Sequence, residues 1–217
     1  MPTELAPDPI TADIKKEGNT PSFIPYPELG EGLGKVPINA RPEVHYYISR
    51  MGFLPYAIKL YLWNPWSAEH LMRFNNAVMR GEQGALTEEF KYRIAFLVSR
   101  DNECTYCTTH HAVTLKRRWG YTDKALNDVL SLDKPRDERE RVAFAFVHQA
   151  SLDPTGVTDE MRAELAKQFT PSEVMEIVLT MGFWKMYNTM HTAMGLPLED
   201  PIAHESRWVK VQPHSGR

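Results

Sequence analysis

The stretch TEEFKYRIAFLVSRDNECTYCTTHHAVTLKRRWG, from Thr87 to Gly120, dictates two helices joined by a short polar corner. Thr87 is a good N-cap, and Glu88 and Glu89 follow in the first turn, where unpaired N–H groups favour negative charge. Phe90, Ile94, Leu97 and Val98 recur at helical spacing and mark a buried face. Arg100, Asp101 and Asn102 break the apolar pattern. A second helix begins near Glu103 and Cys104. It ends on Lys116, Arg117 and Arg118 ahead of Trp119-Gly120, since basic residues suit a last turn and glycine suits the position beyond it.

Both cysteines of the chain, Cys104 and Cys107, fall at the start of that second helix as a C-x-x-C pair. Residues three and four apart share a helix face, so Cys104 neighbours Cys107, and Cys107 neighbours His111. A thiol must become a thiolate to attack, and a helix N-terminus lowers its pKa. The His111 imidazole can take the proton, and Cys104 sits where it can close a disulfide. Two other readings stay open: a pair of buried structural thiols, and a metal site. A structural zinc site needs four ligands at matched spacing, and after His110 and His111 the next histidine is His148. The expectation is therefore no metal and no cofactor. His110 reads as a partly exposed helix residue.

Further helices follow in order. Residues 1 to 40 are broken by Pro and Gly and read as an extended arm, with Phe23, Ile24, Tyr26 and Leu29 as apolar anchors along its own domain or a neighbouring subunit. Short helices start at Pro42 (Val44, Tyr47, Ile48, Met51) and run from Ala57 to Trp63; a longer one runs from Pro65 towards Gly81 and Gly84. The aromatic residues Tyr46, Tyr47, Tyr56, Tyr61, Trp63 and Trp66 read as core or subunit contact rather than as a substrate pocket. Helices then begin at Thr122-Asp123, at Asp137 to Arg141, and at Thr158-Asp159. The last long helix opens on Thr170-Pro171-Ser172-Glu173, a capping box with Pro at the first position, and runs to about Ala193. It is apolar around much of its circumference, as a helix buried in a bundle or at a subunit contact would be. His191 on it could approach the thiols but reads rather as a core or interface histidine. Only KVPI and WVKVQ hint at strands, so the class is all-α.

RDNECTYCTTHHA and, from Glu176, EIVLTMGFWKMYNTMHTAMGLPLE resemble the carboxymuconolactone decarboxylase-like superfamily, and within it the alkyl hydroperoxidase D (AhpD-like) branch. The resemblance covers roughly residues 66 to 199. That branch carries Glu-x11-Cys-x2-Cys-x3-His, which Cys104, Cys107 and His111 match. It implies an AhpD-like helical bundle, an oligomer, and reduction of peroxides by a dithiol, with Cys107 the attacking thiol and Cys104 its disulfide partner. The family Glu position is Tyr92 here, whose phenol donates a proton but is a poor base at neutral pH. Glu89, one turn earlier on nearly the same face, is the candidate substitute, with Glu88 and Glu103 behind it. Tyr106 stands between the cysteines where some members place His.

A formal net charge of −3 and no basic motif argue against nucleic-acid binding. No run of about 18 apolar residues suggests a membrane span, and MPTELAPDPI does not read as a signal peptide. Two cysteines at redox spacing fit a reducing cytoplasm. The expected organisation is an arm (1–40), one all-α domain (41–199) and a tail (200–217). The expected activity is that of a thiol peroxidase: a hydroperoxide substrate, an external dithiol or thioredoxin-like reductant, and a dimer, trimer or hexamer. The rivals are a non-redox decarboxylase-like enzyme and an oligomeric redox-sensing binding protein.

Overall fold

The computed structural model describes residues 24–80 and 84–205. Every regular element among them is helical: α1 (Arg41–Met51), α2 (Tyr56–Tyr61), α3 (Pro65–Met79), α4 (Glu88–Asp101), α5 (Thr105–Trp119), α6 (Asp123–Leu130), α7 (Glu138–Leu152), α8 (Asp159–Gln168), α9 (Pro171–Ala193) and α10 (Asp200–Glu205). KVPI forms turns and no strand, and WVKVQ lies outside the described residues. No described helix is long and apolar enough to cross a membrane.

The chain divides into two compact units, the first reaching Asn75 and including Met194–Glu199, the second holding Asn76–Ala193 and the residues from Asp200. In the first, Leu29, Leu33, Val36 and Ala40 are buried with Val44, Leu54, Ile58, Leu62, Ala68 and Met72. The later part of the expected arm thus lies on its own domain, through turns and a short 3-10 turn at Glu31–Leu33. Of its anchors, Tyr26 stacks on Tyr56 with ring centroids 5.1 Å apart, and Phe23 lies outside the described residues with the rest of the first 23 positions. Trp63 and Trp66 are more than half exposed. Residues 206–217 of the expected tail also lie outside the described residues.

The second unit is built around α4, which packs on α5, α7 and α9. Ile94 to Val98 are all fully buried, as befits a helix enclosed on every side. Such a helix can carry Lys91 and Arg93 only if their charges are matched. Glu176 of α9 takes Lys91 at 2.6 Å, and Glu140 of α7 takes Arg93. Local chemistry fixes the helix starts. The Thr87, Thr122, Asp137 and Thr158 side chains each accept an N–H from the first turn, and Thr170 and Glu173 form a reciprocal capping box (3.3 and 2.8 Å). Gly120, at φ 69, ends α5 in a left-handed conformation that glycine adopts freely.

Candidate active site

The site is made by the way α4 ends. The Glu103 N–H bonds to the Arg100 carbonyl and the Cys104 N–H to the Ser99 carbonyl, both at 3.0 Å, with Glu103 in the left-handed region at φ 54. This is a Schellman closure with glutamate where glycine is usual. The residue that completes it, Cys104, is at the same time the N-cap of α5: its Sγ accepts the Cys107 N–H at 3.3 Å. One residue thus closes one helix and opens the next, which sets its sulfur against the first-turn N–H groups of α5.

Across from this corner runs α9. Nδ1 of His191 lies 3.0 Å from Cys107 Sγ. The ligand atoms of Cys104, Cys107 and His191 all fall within 4.8 Å of one another. The three side chains are buried, each sulfur-bearing residue 1% exposed. Aromatic rings hold the imidazole: Tyr106 at 5.2 Å and Tyr187 at 5.3 Å between centroids. One turn back on α9, buried Asn188 accepts a hydrogen bond from Ser99 Oγ at 3.1 Å and donates to the Val98 carbonyl, fastening α9 to the end of α4.

The electrostatics divide the two thiols. The Cys104 thiol is drawn down to about 5, above all by its hydrogen bond with the Cys107 thiol; His191 and the Cys107 N–H assist, and burial opposes. Burial, together with the charge collecting on Cys104, pushes the Cys107 thiol well above its ordinary value. The first proton lost by the pair therefore comes from Cys104, and the second is retained on Cys107 beside the imidazole.

The other residues singled out in the sequence lie elsewhere. The imidazole on Cys107 is that of His191 and not of His111. His111 is fully enclosed, its ring edge-on to Trp184 at 4.0 Å and to Tyr92 at 5.8 Å, and its Nε2 has no hydrogen-bond partner. Burial, and then the neighbouring His110 and His191, hold its pKa well below the usual range, so it is neutral at pH 7. Tyr92 also packs on Trp119 at 5.5 Å. Glu89 does not reach the sulfurs. Its carboxylate accepts from Tyr121 at 2.5 Å and from Arg136 at 3.0 Å, in a cleft it shares with Arg93, Arg139 and Glu173. The reason is length: at about 1.5 Å per residue, the first turn of α4 is on the order of 15 Å from its last. Glu88 is paired with Arg118 on α5.

The residue under-weighted in the sequence is His191. Its signal was the polar pair Asn188 and His191, one turn apart near the end of a largely apolar helix. Buried polar groups at that spacing need a partner, and the corner of α4 supplies it.

No family model matches the chain. The uncharacterized protein YnjA of Escherichia coli K12 is 26% identical over 97 residues, 44% of this chain and 53% of YnjA, so the chain matches about half the length of that curated relative. Among solved structures, an AhpD-core peroxidase-related protein from Ralstonia eutropha JMP134 superposes with a TM-score of 0.73 at 21% identity, covering 85% of this chain and 95% of that one. The debrominase Bmp8 superposes with a TM-score of 0.68 at 22% identity over 77% of this chain and 89% of its own; it has also been solved as a Cys-to-Ala variant in complex with 2,3,4-tribromopyrrole. Extensive coverage at this level of identity speaks to architecture, and this chain has the all-α fold of the AhpD-like proteins.

Proposed function

We propose that the protein is a thiol-dependent oxidoreductase that reduces hydroperoxides. The observation that carries this reading is the buried Cys104–Cys107–His191 cluster, with one thiol drawn down to about 5. The Cys104 thiolate attacks the terminal oxygen of ROOH, forming the Cys104 sulfenic acid and releasing an alkoxide that takes up a proton as ROH. His191 then accepts the Cys107 proton, and the Cys107 sulfur displaces water from the sulfenic acid to close the disulfide. An external dithiol, itself oxidised to a disulfide, returns the pair to its reduced form, as a reducing cytoplasm would allow. The family likeness assigns the attack to Cys107; the lowered thiol favours Cys104. Both sulfurs are covered, so a substrate gains entry by displacing side chains, and a small hydroperoxide suits such a site.

The test is turnover of an organic hydroperoxide with a dithiol reductant. Rapid alkylation of the reduced protein with limiting iodoacetamide, followed by peptide mapping, then assigns the reactive sulfur. Turnover that depends on both cysteines and a label on Cys104 are expected. Turnover unchanged in a Cys104→Ser/Cys107→Ser double variant would overturn the reading, and a label confined to Cys107 would reverse the two roles.

A second reading comes from the aromatic rings of Tyr106 and Tyr187 on His191 and from the likeness to the debrominase. The same dithiol would reduce a bromopyrrole, Ar–Br and two thiols giving Ar–H, bromide, a proton and the disulfide. Bromide release assayed beside hydroperoxide turnover separates the two. Self-association belongs to either reading: Met175, Leu179 and Met186 recur along α9 as exposed side chains. Sedimentation of the wild type against a Leu179→Lys variant tests it.

A further inference from the structure

We propose that the reduced chain binds one thiophilic divalent cation, zinc foremost, through Cys104 Sγ, Cys107 Sγ and His191 Nδ1, with a fourth position open to water or an exchangeable ligand. Three observations carry this. The donors come from two helices and already face one another, all within 4.8 Å, and two of them stand 3.0 Å apart. Tetrahedral zinc with Zn–S of about 2.3 Å and Zn–N of about 2.0 Å asks for donor separations of roughly 3.5 Å, so closure onto a metal needs only small side-chain shifts. Among the described residues the donor set is two sulfurs and one imidazole, with no carboxylate in the cluster. Thiolate and imidazole select zinc, cadmium or copper(I) over magnesium and calcium.

The supports are also those of a ligand shell. The Cys107 N–H on Cys104 Sγ stabilises a thiolate whether it is free or metal-bound. Tyr106 and Tyr187 fix the ring plane of His191. Structural zinc sites close on four protein ligands, and three protein ligands leave an exchangeable position. Metal occupancy and disulfide formation exclude one another, because each uses the same sulfur electron pairs. One equivalent of hydroperoxide would turn the bound dithiolate into the disulfide and free the cation, taking up two protons and leaving ROH and water. This inference uses the proposed redox site but does not depend on peroxide turnover.

The test is a titration of reduced, chelator-treated, tag-free protein with Co2+ and then Zn2+, without oxygen. One Co2+ per chain is expected, with the d–d bands of tetrahedral cobalt and thiolate-to-cobalt charge transfer, both displaced by Zn2+. The pre-oxidised protein should give neither. Cys104→Ser and Cys107→Ser should each lose most of the charge transfer. His191→Ala should weaken binding by more than ~10-fold and change the d–d envelope. Circular dichroism and melting confirm that each variant folds. Absence of a tetrahedral spectrum in the reduced wild type, or an unchanged spectrum in His191→Ala, would overturn the inference. Hydroperoxide turnover of the chelator-treated protein is measured in parallel, so failure of metal binding and failure of the redox reading are told apart.

Discussion

At its first turn α4 carries Glu89, whose carboxylate is met by Tyr121 and Arg136, and one turn on it buries Arg93 against Glu140. At its last turn the same helix runs into Glu103 and Cys104, where two thiols and an imidazole face one another. The first end holds its charges as matched ion pairs. The second holds groups whose protonation changes with modest chemical work. A buried ion pair has little left to give a reaction, whereas a buried thiol pair sharing one proton is poised to react. The contrast predicts that chemistry is confined to the cysteine end and that stability alone is at stake at the glutamate end.

The sharpest way to break that contrast is to remove a sulfur. Cys104→Ser and Cys107→Ser should each cost at least ~10³-fold in hydroperoxide turnover, since groups that act as a unit fail as a unit. Little change in melting temperature is expected for the near-isosteric replacement.

The two histidines come next. His191→Ala should lower turnover by about 10²-fold, the usual scale for losing a positioned acid–base group. His111→Leu should leave turnover within a few-fold of wild type and keep the fold, because an unpartnered buried nitrogen costs about 1–3 kcal/mol that an apolar side chain would recover. A His111→Leu loss as deep as that of His191→Ala would return the base to the α5 helix.

These two residues also mark where sequence reading stops. Thr87, Thr170 and Gly120 were legible because a cap is decided by residues within one turn of it. The Cys104–Cys107 spacing was legible for the same reason, as was the all-α class, which follows from local periodicity. The contact of His191 with Cys107 spans 84 positions. Asn188, one turn before it, hints at a polar stripe, but only the packing of α9 over the end of α4 shows what that stripe meets. Helical spacing correctly made His111 a neighbour of the cysteines along α5, but a helix has several faces, and Trp184 and Tyr92 enclose the one that His111 occupies. Glu89 failed as a substitute because sharing a helix face does not shorten the distance along the axis.

The pH dependence separates the two ends further. Reactivity of the reduced protein with iodoacetamide should follow the Cys104 thiolate: at its plateau near neutral pH, and lost as pH falls through about 5. An ordinary thiol would lose it below about 8.5. At the other end, burial works to raise the Glu89 and Glu176 pKa values, but hydrogen bonds from Tyr121 and Arg136, and from Lys91, hold both below 4.5. Their stabilisation is complete above about 4.5 and disappears as pH falls through the lower folded values. Glu89→Gln should therefore cost about 1 kcal/mol at pH 7, the scale of a partly exposed ion pair. The difference from wild type should shrink as pH falls below about 4.5, and turnover at pH 7 should stay within a few-fold. A turnover loss comparable to that of His191→Ala would join the two ends after all.

The smallest expected effect probes the corner itself. Glu103 occupies φ 54, a region that costs a non-glycine residue roughly 1 kcal/mol or more. Glycine removes that cost but adds about 0.5–1 kcal/mol of unfolded-chain entropy, so the two nearly offset. Glu103→Gly should leave the melting temperature unchanged or slightly raised, whereas Glu103→Val, branched at Cβ, should lower it by several degrees. The alkylation profile of Cys104 should be the same in wild type and Glu103→Gly, because the hydrogen bonds closing the corner are backbone bonds that glycine also makes. A Glu103→Gly variant that melted well below wild type, or whose Cys104 behaved as an ordinary thiol, would mean that the carboxylate and not the left-handed turn positions the sulfur.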